Sequence, residues 1–194
     1  MRIPLASGAW LDHDPAWLSA PDADAALTAL RDELTWEQRA IVIFGRRILQ
    51  PRLIAWAGDL GYRYSGQTLE PRAFTPAAGQ LLQHVRDQAG VPFNHVLVNR
   101  YRSGDDSMGL HADDEPELGP DPTVAIVSLG ATRRLTIRPR RKPDRSRHDL
   151  ELGHGALLVM GGTLQRHYVH GVPRRAGAPG ERISLTFRRL LRPP

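Results

Sequence analysis

His111 and Asp113 stand two positions apart in the stretch GLHADDEPE, residues 109–117. On an extended segment, side chains at i and i+2 point to the same side, so this imidazole and carboxylate can reach one ion together. A second imidazole would complete a two-histidine, one-carboxylate face. That donor set suits ferrous iron in oxygenases, and catalytic zinc accepts the same ligand types. With 8 histidines and 21 acidic residues in 194, such a pair also arises by chance, and a solvated acidic loop is the competing reading. Four later histidines are candidates for the third ligand: His148 after an arginine-rich loop, His154 in a Gly-His-Gly turn, and His167 and His170 in one β-type run. Position and strand parity favour His170 and leave the others open.

A second set lies near the C-terminus. In Arg182 to Arg188 apolar and polar residues alternate strictly, as on a strand. Ile183, Leu185 and Phe187 form an apolar face; Arg182, Ser184, Thr186 and Arg188 form the other. Two guanidiniums and two hydroxyls turned to solvent would be unremarkable. Turned into a barrel they would make a pocket for a small dianion, because buried arginines need anionic partners.

The elements that must carry these groups are legible as period and punctuation. A helix is predicted from about Asp22 to Leu34, and a second from the cap Thr75 and Pro76 to near Gly90. After Val91 come short β-like runs at 93–101, 123–130, 133–140, 148–160, 166–172 and 181–190, broken by Gly, Pro and Asp. That pattern belongs to an antiparallel sandwich or barrel. The expected fold is β-rich α+β: a jelly roll, the double-stranded β-helix, over about 91–190, with N-terminal helices packed on it. A smaller β subregion is expected over about 40–70, and all 194 residues are read as one domain. No apolar run approaches the roughly 18 residues of a membrane span. Without cysteine there is no disulfide framework, which fits a reducing cytoplasm. Nothing points to an oligomer, and a monomer is expected.

The ordered series NRY, GLHADDE, SLG, HGALLVMGG, YVHGV and RISLTFR resembles the AlkB family of iron(II)- and 2-oxoglutarate-dependent nucleic-acid dealkylases. The resemblance runs from about residue 40 to 190. It implies iron ligands at His111, Asp113 and His170. It also implies a 2-oxoglutarate pocket from Asn99, Tyr101, Arg182, Ser184, Thr186 and Arg188, with Ser184 where the family commonly has Asn. Arg182 is the expected partner of the far carboxylate, helped by Tyr101, and Arg188 lies nearer the metal. The implied reaction uses O2 and removes an N-methyl group, as from 1-methyladenine or 3-methylcytosine, releasing succinate and formaldehyde. The base must leave its stack to be reached.

The net charge of +5 is carried almost wholly by arginine, Lys142 being the sole lysine. Arginines crowd residues 133–148, and Arg174 and Arg175 follow the His170 run, which fits phosphate contact beside an active site. By the same resemblance, Phe44 matches a hydrophobic finger that fills the gap of a flipped base, and Arg52 a pocket-side contact. Tyr62 and Tyr64 share a face at i and i+2 and match a nucleotide-recognition element whose aromatics stack on a base. Asp114, Glu115 and Glu117 are expected in a solvated turn. The implied partner is alkylated DNA, single- or double-stranded, with RNA as a further substrate. The alternatives are an RNA or protein demethylase of the same chemistry, and a non-catalytic nucleic-acid-binding or zinc-holding β protein.

Overall fold

Alternation along the strands decides the architecture. A computed structural model of the chain describes residues 2–43, 45–64, 66–141, 146–177 and 180–192. A seven-stranded antiparallel sheet runs in the order Arg2–Pro4, Ala9–Asp14, Ala156–Gly162, Val124–Gly130, Arg182–Arg188, His95–Tyr101, Leu53–Gly58. A four-stranded sheet runs His148–Leu152, Arg133–Pro139, Tyr168–Val172, Met108–His111. Two hairpins, Ala40–Ile43 with Arg46–Leu49 and Tyr62–Tyr64 with Gln67–Leu69, stand apart from both sheets.

Each central strand of the large sheet is buried on both faces, because it is covered twice. Its outer face packs on two helices: Ile183, Leu185, Phe187, Val96, Val98, Val127 and Val159 join Leu30, Leu81, Leu82 and Val85 in one cluster. Its inner face meets the small sheet, where Tyr101, Ile126, Leu158 and Met160 pack with Leu135, Ile137, Tyr168 and Val172. Arg182–Arg188 is therefore buried at all seven positions, and its polar face looks into the space between the sheets. A doubly covered strand is normally apolar throughout, so this polar face signals a ligand site.

The helices begin and end where local chemistry dictates. Helix α1 is Ala20–Glu33, capped by Ser19 Oγ accepting from the Asp22 amide. Helix α2 is Pro76–Ala89, with Thr75 Oγ1 accepting from the Ala78 amide and Gly90 closing the helix at φ 65°.

The structure differs from the sequence reading in four places. The run 148–160 is two strands separated by the turn that holds His154, and Arg166 and His167 fall in a helical turn, Leu164–His167. Leu53–Gly58, expected in the small subregion, instead closes the edge of the large sheet against His95–Tyr101. Ala9–Asp14, for which no strand was expected, pairs in full register with Ala156–Gly162.

Candidate active site

Four strands and the segment after Met108–His111 bring the chemistry together. His170 lies directly opposite His111 across the pairing of Tyr168–Val172 with Met108–His111, and their rings sit 4.4 Å apart. The register shifts just after this pair. Gly171 permits the close approach: a Cβ there would come within 2.8 Å of Met108 O and 2.9 Å of Gly109 O. The chain then turns inward, so that Asp113 is buried with one carboxylate oxygen 3.9 Å from His111 Nε2 and the other 3.8 Å from His170 Nε2. One ligand atom from each of the three residues lies within 4.8 Å of the others. His148, His154 and His167, open on sequence grounds, fall outside this group. His154 accepts from the Gly130 amide, and His167 is exposed.

The protonation states suit a divalent ion. Burial pulls His170 down to about 3, helped by His111, and burial likewise lowers His111 despite the pull of Asp113. Both imidazoles are then neutral at pH 7, as ligands must be. His111 Nδ1 lies 3.0 Å from Gly109 O, a bond that makes Nδ1 the N–H and leaves Nε2 its lone pair. Burial pushes the Asp113 carboxyl up, but Arg188, His170 and His111 outweigh it and hold the group at about 2. Asp113 Oδ2 is buried without a hydrogen-bond donor. An ionised, unsatisfied carboxylate oxygen facing two neutral imidazoles fits a metal ion such as Fe(II).

The pocket expected to take the cosubstrate adjoins this group. Antiparallel register sets Tyr101 opposite Arg182 and Asn99 opposite Ser184. Asn99, Tyr101, Arg182, Ser184, Thr186 and Arg188 line one pocket together with His111 and His170. The two arginines differ in one decisive respect. Arg188 donates to Asp113 Oδ1 at 2.6 Å, so its charge is matched within the protein. Arg182 is 1% exposed, donates to Ser128 Oγ at 2.9 Å, stacks 5.2 Å from the Tyr101 ring, and pairs with no carboxylate among the described residues. Its Nη1 has no partner. Burial lowers it to about 10, so it remains a cation at pH 7. A buried cation lacking an anion fits the far carboxylate of a small dianion such as 2-oxoglutarate.

The comparisons agree with this geometry. Residues 11–188 match the family model of the 2OG-Fe(II) oxygenase superfamily. The chain is 36% identical over 188 residues to the human alpha-ketoglutarate-dependent dioxygenase alkB homolog 3, covering 93% of this chain and 66% of that protein. It is 37% identical to the mouse DNA oxidative demethylase ALKBH2, covering 88% of this chain and 76% of that one. The chain belongs to the AlkB family of 2OG-Fe(II) oxygenases. It spans just under two thirds of the length of the first of these relatives. The solved structure of OsALKBH1 superposes with a TM-score of 0.69 at 18% identity, over 97% of this chain and all of that one, which shows a shared fold. Membership in the AlkB family carries Fe(II) as cofactor and 2-oxoglutarate and O2 as cosubstrates.

Several residues that sequence reading placed toward nucleic acid lie elsewhere. Arg52 is 6% exposed and its donors are engaged by Asn99 Oδ1 at 2.7 Å, Ser107 O and the Tyr64 hydroxyl. It positions a pocket residue instead of facing a substrate. Tyr62 and Tyr64 do share a face, but it points inward: they are 0% and 6% exposed and pack with Ile54, Trp56, Leu69 and Leu97. Arg63 takes the outer face of that three-residue strand. Arg133 is buried and donates to the carbonyls of Ser103, Asp106 and Pro173, so it ties loops together and contributes nothing to the basic surface. Arg174 and Arg175 are exposed as expected, Arg175 pairing with Glu151 at 3.1 Å. Phe44 lies outside the described residues. The acidic turn is less solvated than predicted. Glu115 is half-buried, with its carboxyl raised by burial and by Asp113, and Asp114 pairs with Arg140 at 2.5 Å. Sequence reading missed Gln165, which is 1% exposed and whose Oε1 accepts from the Asp113 amide at 3.0 Å.

Proposed function

We propose that the protein removes N-methyl groups from the Watson–Crick edge of nucleobases in DNA, acting in alkylation repair. Bound Fe(II), with 2-oxoglutarate and O2, supplies the oxidising power to hydroxylate a methyl C–H bond, the cosubstrate leaving as succinate and carbon dioxide. The hydroxymethylated nitrogen then sheds formaldehyde and the base is restored. In this reading His111, Asp113 and His170 hold the metal, Arg188 fixes the carboxylate that binds it, and Gln165 holds the Asp113 backbone in place. Arg182, with Tyr101 beside it, receives the far carboxylate of 2-oxoglutarate, and Asn99, Ser184 and Thr186 line its path.

The observation that carries the proposal is the unmatched cation Arg182 in the same pocket as a two-histidine, one-carboxylate group. A zinc-holding or purely DNA-binding β protein has no use for a buried guanidinium without an anion. Nucleic acid as substrate is supported by the chain's charge of +5, by exposed arginines at 46, 47, 138, 140, 141 and 174, and by the printed name of the ALKBH2 relative. The small hairpins within 40–70 belong to the proposal as the nucleotide-recognition subregion, and a monomer in the cytoplasm as its setting.

The deciding experiment offers one methylated base, 1-methyladenine or 3-methylcytosine, in single-stranded DNA, duplex DNA and RNA of one sequence, with Fe(II), 2-oxoglutarate and O2. Product mass is expected to fall by one methylene, with stoichiometric succinate and formaldehyde. His111→Ala is expected to show none. Cosubstrate turnover without methyl loss from any nucleic acid would refute the proposal, and a strong preference for RNA would replace DNA repair as the role.

A further inference from the structure

A second basic concavity lies outside the metal pocket. It is a cleft of about 360 Å³ at the end of the small sheet, lined by Ser7, Arg140, Arg141, Arg166, His167 and Tyr168 among others, with no acidic residue in its lining. Three parts of the fold build it. Arg140 and Arg141 follow Arg133–Pro139, Arg166 and His167 come from the turn Leu164–His167, and Ser7 comes from the N-terminal segment. The Arg140 amide donates to His167 O, and the Ala6 amide to the Tyr168 hydroxyl, so the walls are tied to one another.

The guanidiniums stay available to a ligand. Arg140 pairs with Asp114 and Arg166 with Asp121 at 2.6 Å, but these are surface pairs, Arg166 being 57% exposed, and such pairs are weak and easily shared. Arg141 is exposed and pairs with no carboxylate among the described residues. Three planar forks and an imidazole around one concavity, with no carboxylate in the lining itself, suit a phosphate.

Position says which phosphate. Across Arg133–Pro139 and Tyr168–Val172, Ile137 pairs with the metal ligand His170 and Pro139 with Tyr168. The cleft therefore begins two register positions, about 7 Å, beyond His170. Asp114, which holds Arg140, directly follows the ligand Asp113. A group in the cleft would sit within a short stretch of extended strand from a base at the metal.

We propose that this cleft binds a backbone phosphodiester of the substrate strand next to the base being demethylated, holding the strand without reading its sequence. The inference rests on the nucleic-acid reading above but is tested without turnover. Binding of an unmodified single-stranded 12-mer is measured by fluorescence anisotropy across salt, for wild type, Arg141→Ala, Arg141→Ala/Arg166→Ala, and the remote control Arg31→Ala. Losing the one phosphate contact is expected to reduce the salt slope by about 0.7, in part in Arg141→Ala and in full in the double variant. Its affinity deficit is greatest at low salt and closes as salt rises. The control, the melting temperature and 2-oxoglutarate turnover without substrate are expected to match wild type.

An unchanged slope in both variants would overturn the proposal, as would a weaker affinity at constant slope, which marks a structural defect. Inorganic phosphate bound by wild type and lost in the variants while DNA binding stays unchanged would assign the cleft to free phosphate instead. Polyglutamate of equal charge competing as well as DNA would remove the nucleic-acid assignment. If the slope falls as expected and no methylated oligonucleotide is turned over, the cleft stands and the demethylase reading fails alone.

Discussion

Arg188 and Asp113 form a fully buried ion pair, each side chain 2% exposed, with Nη2 donating to Oδ1 at 2.6 Å. The bond does two things at once: it keeps the Asp113 carboxylate ionised and leaves Oδ2 without a hydrogen-bond donor, as a metal ligand requires. Burial opposes the charge on both partners, yet Asp113 raises Arg188 while Arg188 is the chief influence lowering Asp113. Removing one partner therefore strands the other. Arg188→Met is expected to cost the metal-free protein about 3–5 kcal/mol at pH 7, read from urea unfolding. The sign with pH is defined. Without Arg188 the Asp113 carboxyl titrates well above about 2, so the deficit should shrink as pH falls toward 4. Asp113→Asn in the same chain should recover most of it. A deficit that holds constant from pH 7 to 4 would show that the pair is not its source.

Arg182 is predicted to behave in the opposite way. No acid offsets it, so Arg182→Met removes an uncompensated buried charge and should leave the metal-free protein as stable or more so. The cost appears on ligand binding. Titration calorimetry with Mn(II) and 2-oxoglutarate should show affinity lower by about 2–5 kcal/mol, at least thirtyfold, while Mn(II) affinity alone stays unchanged. Equal loss of stability and of cosubstrate binding would point to a structural arginine instead.

The contrast between these two arginines marks how far the sequence could be read. Alternation in 182–188 was enough to separate Ile183, Leu185 and Phe187 from the polar set, because strand parity is a local property. Helix α2 was equally legible, since Thr75, Pro76 and Gly90 act on their own neighbours. Which arginine meets a carboxylate depends on where residue 113 arrives from 75 positions away, and no local pattern encodes that. Tyr62 and Tyr64 illustrate the same limit: their shared face was readable, but its direction depended on packing against Ile54 and Leu97. Arg133 misled because charge in a sequence reads as surface, whereas three carbonyls from distant loops satisfy it indoors.

Gln165 gave no signal in the chain, yet its contact tethers the segment 111–113 to the turn preceding the His170 strand. It is a positioning residue: it touches the Asp113 backbone and not the ion. Gln165→Ala is expected to weaken Mn(II) binding about tenfold, in the range found for groups that orient ligands. Gln165→Glu keeps the acceptor oxygen at Oε1 and should recover part of the loss. Metal affinity equal to wild type in the alanine variant would release Gln165 from this role.

Acid should unfold the metal-free protein earlier than its carboxylates alone dictate. Burial, aided by Arg188, lowers His95 to about 3, and His170 is lowered to about 3 as well. In the unfolded chain both titrate near the ordinary value of 6.5. Between these limits the unfolded state binds protons that the native state refuses, so stability falls as pH drops below about 6.5. Each histidine contributes a slope of up to about 1.4 kcal/mol per pH unit. Asp113, depressed to about 2, adds its own loss only below the ordinary carboxylate range. The two effects therefore separate on the pH axis. Urea midpoints at pH 7.5, 6.5, 5.5 and 4.5 should show the fall, and His95→Leu should remove one histidine's share of it, leaving those of His170 and His111, without touching His111, Asp113 or His170. His95 packs its ring 4.8 Å from that of Tyr62 in a fully buried site, so leucine retains the apolar contact and deletes the titration. A His95→Leu profile parallel to wild type through this window would mean that His95 is already protonated in the native protein, and the burial account of its state would fail.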